Sequence, residues 1–183
     1  MSKERAKDYC RSCGSKKINC FLPLGKHGPA QGFLREDQLQ DETLFDLDTH
    51  ACLDCGLVQV PNRIPPDFFR HYLWVPSTAT QMHAHFRGLA ELIQQRLLED
   101  ESELFVDIGC NDGLLLKSAH DIGIKTLGID PAENIGEIAK AKGLTVVGEY
   151  FNEKTAKQVL DEHGVAKVIT SNNTFNHIDN LHD

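Results

Sequence analysis

Two cysteine pairs near the start of the chain, Cys10-x-x-Cys13 and Cys52-x-x-Cys55, have the types and spacing of metal ligands. Each C-x-x-C turn presents two thiolates to one ion, and two such turns complete a tetrahedral zinc shell. Gly14 and Gly56 follow the pairs, where a tight knuckle turn needs a residue free of Cβ. Thirty-eight residues separate Cys13 from Cys52, so a substantial loop is inserted between the two knuckles. A four-thiolate shell has no open position, so the expected zinc is structural and stabilises a module too small to hold itself together. The weaker readings are a redox dithiol and unliganded thiols. Cys20, His27 and His50 are substitute ligands at most, and packed or surface positions suit them better.

A second constellation lies in FVDIGCNDGLLL, residues 105–116, where strand-like residues run into two glycines. A dinucleotide turn needs G-x-G-x-x-G to bring backbone N–H groups to a pyrophosphate. Here the order is Gly109, Asn111, Gly113, the third glycine is absent, and Asp107 and Asp112 would set carboxylates beside a dianion. S-adenosylmethionine suits the residues better, because it has no phosphate and carries a sulfonium and an ammonium. Asp107 would attract the cationic methionine portion, Gly109 and Gly113 would allow close backbone approach, and Asn111 would take a turn conformation. Asp130, 23 residues beyond Asp107, ends the next strand, where a carboxylate can accept both ribose hydroxyls. Asn172 and Asn173 fall at the carboxyl end of a later strand, the side on which open α/β sheets bind ligands. A polar loop capping the next helix is the other reading of these asparagines. His177 faces either a substrate or solvent, and Cys110 is expected to be a small packed residue of the turn.

The elements that must position these groups follow an alternating rhythm from Leu104 onward. Strands are expected at LFVDI, IKTLGID, LTVVG and AKVITSN, with helices at DGLLLKSAHDIG, AENIGEIAKAKG and NEKTAKQVLDEHG. This pattern predicts parallel β/α units. Upstream, Met82, Phe86, Leu89, Ala90, Ile93 and Leu97 recur at spacings of three and four, which predicts a helix over 80–98. The prolines and aromatics of RIPPDFFRHYLWVPS precede it as an irregular, packed segment. The expected fold is therefore α/β. A zinc-binding module (1–75) and a linking helix (76–103) precede the first four strands of a Rossmann-like sheet (104–183). Four strands leave one sheet edge open, which reads as a fragment of a larger domain.

Composition narrows the partners. The chain of 183 residues carries a formal net charge of −8, against broad attraction to nucleic acid or anionic membranes. Residues 1–75 hold as many Asp and Glu as Lys and Arg, so no basic face is evident. The start, MSKERAKDYC, lacks the apolar core of a signal peptide, and no run reaches membrane-spanning length. A cytoplasmic setting is expected, where six cysteines serve as ligands or plain thiols rather than disulfides.

Taken together, CRSC…CLDCGLVQV, YLWVPSTATQMHAHF and FVDIGCNDGLLL…LGIDPAENI resemble the zinc-containing sugar C-methyltransferases. The resemblance runs from Cys10 to about Leu181. It implies an N-terminal zinc module, a class I S-adenosylmethionine-dependent methyltransferase domain and a further sugar-nucleotide domain. The implied substrate is a nucleotide-linked keto-deoxysugar, methylated at carbon 3. Where the family tends to show Tyr-x-Tyr-x-Ser, this chain has Tyr72-Leu73-Trp74-Val75-Pro76-Ser77, which keeps an aromatic wall but loses a hydroxyl. Tyr72 and His177 are the residues expected nearest the sugar, while His83 and His85 read as helix-surface residues. The principal catalytic base is expected beyond Asp183, so residues 1–183 alone are expected to transfer no methyl group. Two other readings remain open: a zinc-ribbon module that recruits nucleic acid or a protein, and a methyltransferase for another acceptor.

Overall fold

A computed structural model describes residues 7–178 and 180–182. The first six residues of the start, read above for a leader, lie outside the described ones. The chain forms two compact units, Met1–Pro66 with Ile178–Asp183, and Asp67–His177.

In the first unit the strands are β1 (Ile18–Leu22), β2 (Lys26–His27), β3 (Phe45–Asp46), β4 (Thr49–Cys52) and β5 (Val58–Gln59). β4 pairs antiparallel with both β1 and β5, and β2 pairs with β3. Burial here is sparse. Among the described residues of this unit only Cys10, Cys52, Gln59 and Pro61 are enclosed, while Phe21, Leu22, Leu24 and Phe33 stand exposed. So little apolar burial cannot offset the conformational entropy of ordering some sixty residues, and a cross-link at the cysteines is required.

Two 3₁₀ turns come next, Pro66–Arg70, in which the second unit starts at Asp67, and Pro76–Thr78; their prolines preset the backbone at their first positions. Then follow α1 (Thr80–Leu97), β6 (Leu104–Ile108), α2 (Leu114–His120), β7 (Lys125–Ile129), α3 (Glu133–Ala141), β8 (Val146–Val147), α4 (Glu153–His163) and β9 (Ala166–Thr170). The four strands form one parallel sheet in the order β8-β7-β6-β9.

β6 is central, and all five of its residues are buried. Its alternation splits the core between two faces. Phe105 packs with Ala90 and Ile93 of α1, Leu115, Leu116 and Ala119 of α2, and Ala139 of α3. Leu104, Val106 and Ile108 pack on the other face with Leu127, Ile129 and Val159 of α4. A near-continuous apolar run suits such a doubly covered parallel strand.

Set apart in the sequence as a linking segment, α1 belongs by its packing to this second unit: Ala90 and Ile93 are buried in its core. The expected apolar stripe also ends early. Leu97 is exposed, and Leu98, in extended backbone just past the helix, packs against the core instead. β8 is shorter than LTVVG, with Leu144 drawn into the core as a loop residue.

Gly113 precedes α2 with φ +75°, and a Cβ there would lie 2.5 Å from Leu144 Cδ1 and 3.1 Å from Ala139 Cβ. Gly113→Ala should therefore lower unfolding stability by about 1–3 kcal/mol, through left-handed strain and overpacking. Urea unfolding followed by circular dichroism checks this, and an unchanged midpoint would refute it.

Candidate metal centre and cofactor site

The four sulfurs of Cys10, Cys13, Cys52 and Cys55 all lie within 4.8 Å of one another. The Cys10–Cys55 and Cys13–Cys52 separations are both 3.6 Å, close to the edge of about 3.8 Å that a tetrahedron with Zn–S bonds near 2.3 Å would have. Two matched knuckles build the cluster. Gly14 N donates to Cys10 O and Gly56 N to Cys52 O, and both glycines take left-handed φ. Cys10 and Cys52 are buried while Cys13 and Cys55 are exposed. Cys20, His27 and His50 stand outside this cluster.

Residues around the knuckles hold them in place. The buried Gln59 amide accepts from Arg11 N at 2.9 Å and donates to Tyr9 O at 2.9 Å, bracketing Cys10. Ser15 Oγ and Lys17 Nζ both donate to the Asp54 carboxylate, joining the two knuckles and holding that carboxyl below its ordinary range. Neither role was legible in a sequence reading confined to ligand types.

In the second unit Asp107, one residue before the end of β6, is almost fully buried. Burial pushes its carboxyl up to about 6, against opposing hydrogen bonds from Thr170 Oγ1 at 2.6 Å and Asn172 Nδ2 at 3.4 Å. Nearby Asp130 adds like-charge repulsion. Asp130, after β7, is also raised by burial and accepts from the backbone N–H of Asn111 and of Ala132, both at 2.8 Å. Asn111 takes φ +51° and donates through Nδ2 to Trp74 O at 3.1 Å.

Asp112 requires a correction. It is fully buried and pairs with Lys142 Nζ at 2.9 Å, so its charge is matched inside the fold. The carboxylates at the strand ends are Asp107 and Asp130. A Cβ on Gly109 would lie 2.0 Å from Thr174 Oγ1, and the space beside Gly113 is filled by Leu144 and Ala139. Both glycines admit protein atoms at these points, which spacing alone does not reveal.

Beyond β9, Asn172 reaches Asp107, whereas Asn173 is exposed with φ +54° and shapes the loop. Phe69 neighbours both residues expected near an acceptor: its ring is 6.3 Å from that of Tyr72 and 5.6 Å from that of His177. Burial lowers the pKa of His177. His83 bonds to Ser77 O, and the ring of His85 packs on Phe86, so both serve local structure. Cys110 is buried, which holds its thiol well above the ordinary range.

Two family models match the chain, one described as a zinc binding domain over residues 10–69 and one as a methyltransferase domain over residues 81–183. The chain belongs to the methyltransferase-domain family, with a zinc-binding domain ahead of it. S-adenosylmethionine is the cofactor of this class. A curated relative, C-methyltransferase NovU of Streptomyces niveus, is 31% identical over 178 residues. That alignment covers 96% of this chain and 42% of NovU, so the chain spans less than half the length of the relative it matches.

Solved structures match over shorter stretches. A SAM-dependent methyltransferase from Archaeoglobus fulgidus is 26% identical with a TM-score of 0.26, covering 34% of this chain and 29% of its own. DesVI of Streptomyces venezuelae is 17% identical with a TM-score of 0.30, covering 41% and 36%. Among the described residues no helix is long and apolar enough to cross a membrane.

One tightly held zinc per chain is expected at the four cysteines. Chelation, or Cys52→Ser, should remove it and abolish amide-exchange protection in the strands of the first unit, leaving the four-stranded sheet protected. Elemental analysis showing no zinc, with four freely titrating thiols, would refute the site.

Proposed function

We propose that this chain is the zinc module and cofactor-binding part of an S-adenosylmethionine-dependent C-methyltransferase. Its acceptor in this reading is a keto-deoxysugar carried on a nucleotide diphosphate. The observation that carries the reading is the pair of buried carboxylates, Asp107 and Asp130, at the carboxyl ends of neighbouring parallel strands beside the glycine turn. A cationic, phosphate-free cofactor suits that lining, whereas a pyrophosphate would meet repulsion. The likeness to a protein named as a C-methyltransferase supports carbon as the acceptor atom.

The residues divide the work. When bound, the cofactor supplies an electrophilic methyl group. Asp107 attracts its cationic methionine end, with Asn172 beside it, while Gly109, Asn111 and Gly113 set the course of the turn. Asp130 has spare acceptor capacity beyond the two backbone N–H groups it holds, because a carboxylate accepts about four hydrogen bonds, and takes the ribose hydroxyls. Asn173 directs the following loop past them. Tyr72 and His177, each beside Phe69, form the acceptor wall, holding the sugar ring and excluding water. Burial disfavours the charged form of His177, so its neutral ring can accept a hydrogen bond there.

Net charge of −8 and the balanced charges of the zinc module favour a small-molecule partner over nucleic acid. Six free cysteines, four of them gathered at one metal centre, agree with a cytoplasmic setting.

Two measurements test the site. Asp130→Ala should weaken S-adenosylmethionine binding by about 1–3 kcal/mol, since hydroxyls lose their acceptor; unchanged affinity by calorimetry would remove Asp130 from the ribose. Asp107 must be ionised to attract the cation, and its carboxyl titrates near 6. Affinity should therefore fall as pH drops through 6, by about tenfold between pH 7.5 and 5. Asp107→Asn should be weak throughout and flat with pH, and a wild-type profile that is equally flat would refute the role.

A further inference from the structure

Residues 71–75, between the two 3₁₀ turns, form a strap beside the carboxyl ends of the sheet that is fastened through its backbone at two points. The first fastening is Asn134. Its Oδ1 accepts from Tyr72 N at 3.0 Å, and its Nδ2 donates to Tyr72 O at 2.7 Å. One side-chain amide thus satisfies both polar groups of a single residue 62 positions away, as a neighbouring strand would. The pairing also fixes which way round the amide sits, because an N–H needs the oxygen and a C=O needs the nitrogen. The second fastening, two residues on, is Trp74 O, which accepts from Asn111 Nδ2 at 3.1 Å. Asn111 in turn donates its backbone N–H to Asp130.

Local structure does not explain Asn134. It lies in the first turn of α3, where the N-cap is Ala132 and no side chain caps the helix. Asparagine is a poor helix former away from caps. Its use here is tertiary. Both fastenings hold backbone atoms, so they set where the strap runs without prescribing its side chains.

We propose that Asn134 is a positioning residue, a latch that holds the aromatic strap against the cofactor turn so that Tyr72 and Trp74 are set before an acceptor arrives. What the latch serves rests on the cofactor reading above; the latch itself is testable without ligand. Through Asn111 the strap and the carboxylate Asp130 share one hydrogen-bonded chain, so loosening the strap should also loosen the turn that the cofactor meets.

Trp74 is the chain's single tryptophan and sits half-exposed on the strap, so its fluorescence reports the latch directly. In the full, unliganded chain, Asn134→Ala should raise the acrylamide quenching of Trp74 by roughly twofold or more, as local opening of the strap becomes frequent. Asn134→Asp keeps the size but sets an acceptor against Tyr72 O, and should shift quenching in the same direction. This variant decides the matter if the alanine variant fails to fold. Glu137→Ala, on the same helix and ion-paired with exposed Lys140, should match wild type. Calorimetry with S-adenosylhomocysteine should show binding about tenfold weaker in the Asn134 variants, as expected when net hydrogen bonding is lost. Wild-type quenching in a folded Asn134 variant would overturn the latch. So would unchanged affinity in a variant of a chain that binds the ligand. A wild-type chain that binds no S-adenosylhomocysteine would defeat the cofactor reading instead, and the quenching comparison would still decide the latch.

Discussion

Burial of β6 on both faces is the constraint on which the second unit depends. Four of its five residues are apolar and give the sheet its two half-cores, with α1 and α2 on one side and α4 on the other. The fifth, Asp107, is forced into the same dry environment. A carboxyl there needs polar neighbours, and these come from across the sheet, from Thr170 of β9 and Asn172 beyond it. The group remains raised even so, because desolvation outweighs two hydrogen bonds. A carboxylate so placed is destabilised in isolation and gains most from a cation brought to it.

The first unit obeys the opposite constraint. Among its described residues it buries almost no apolar side chain, and the enclosed positions are two cysteines, a proline and one amide. The metal centre stands in for a hydrophobic core, and Gln59, Arg11, Ser15, Lys17 and Asp54 brace it with hydrogen bonds. The chemistry of a closed four-thiolate shell and the scarcity of apolar burial point the same way: this centre holds structure and leaves reaction to the sheet.

Acids in and around the glycine turn illustrate how residue type and environment separate. Asp107, Asp112 and Asp130 are equivalent carboxylates in a string of letters. In the fold one is paired with Lys142, one is tied to two backbone N–H groups, and one is desolvated at a strand end. Only the last two line the end of the sheet where a ligand of this fold would lie.

Much was legible beforehand because it depends on short-range pattern. The C-x-x-C knuckles with their glycines, the periodicity that made α1, and the alternation of strand and helix from Leu104 onward are local properties, so the strands fall where the apolar runs do. Tertiary structure decided what lies between distant segments. It drew α1 into the sheet's core, matched Asp112 with Lys142, filled the spaces over Gly109 and Gly113 with Thr174 and Leu144, and joined Asn134 to the backbone of Tyr72. None of these pairs has a spacing rule. Each arises because a parallel sheet brings the ends of separate β/α units together, where unpaired polar groups and empty volume are too costly to leave.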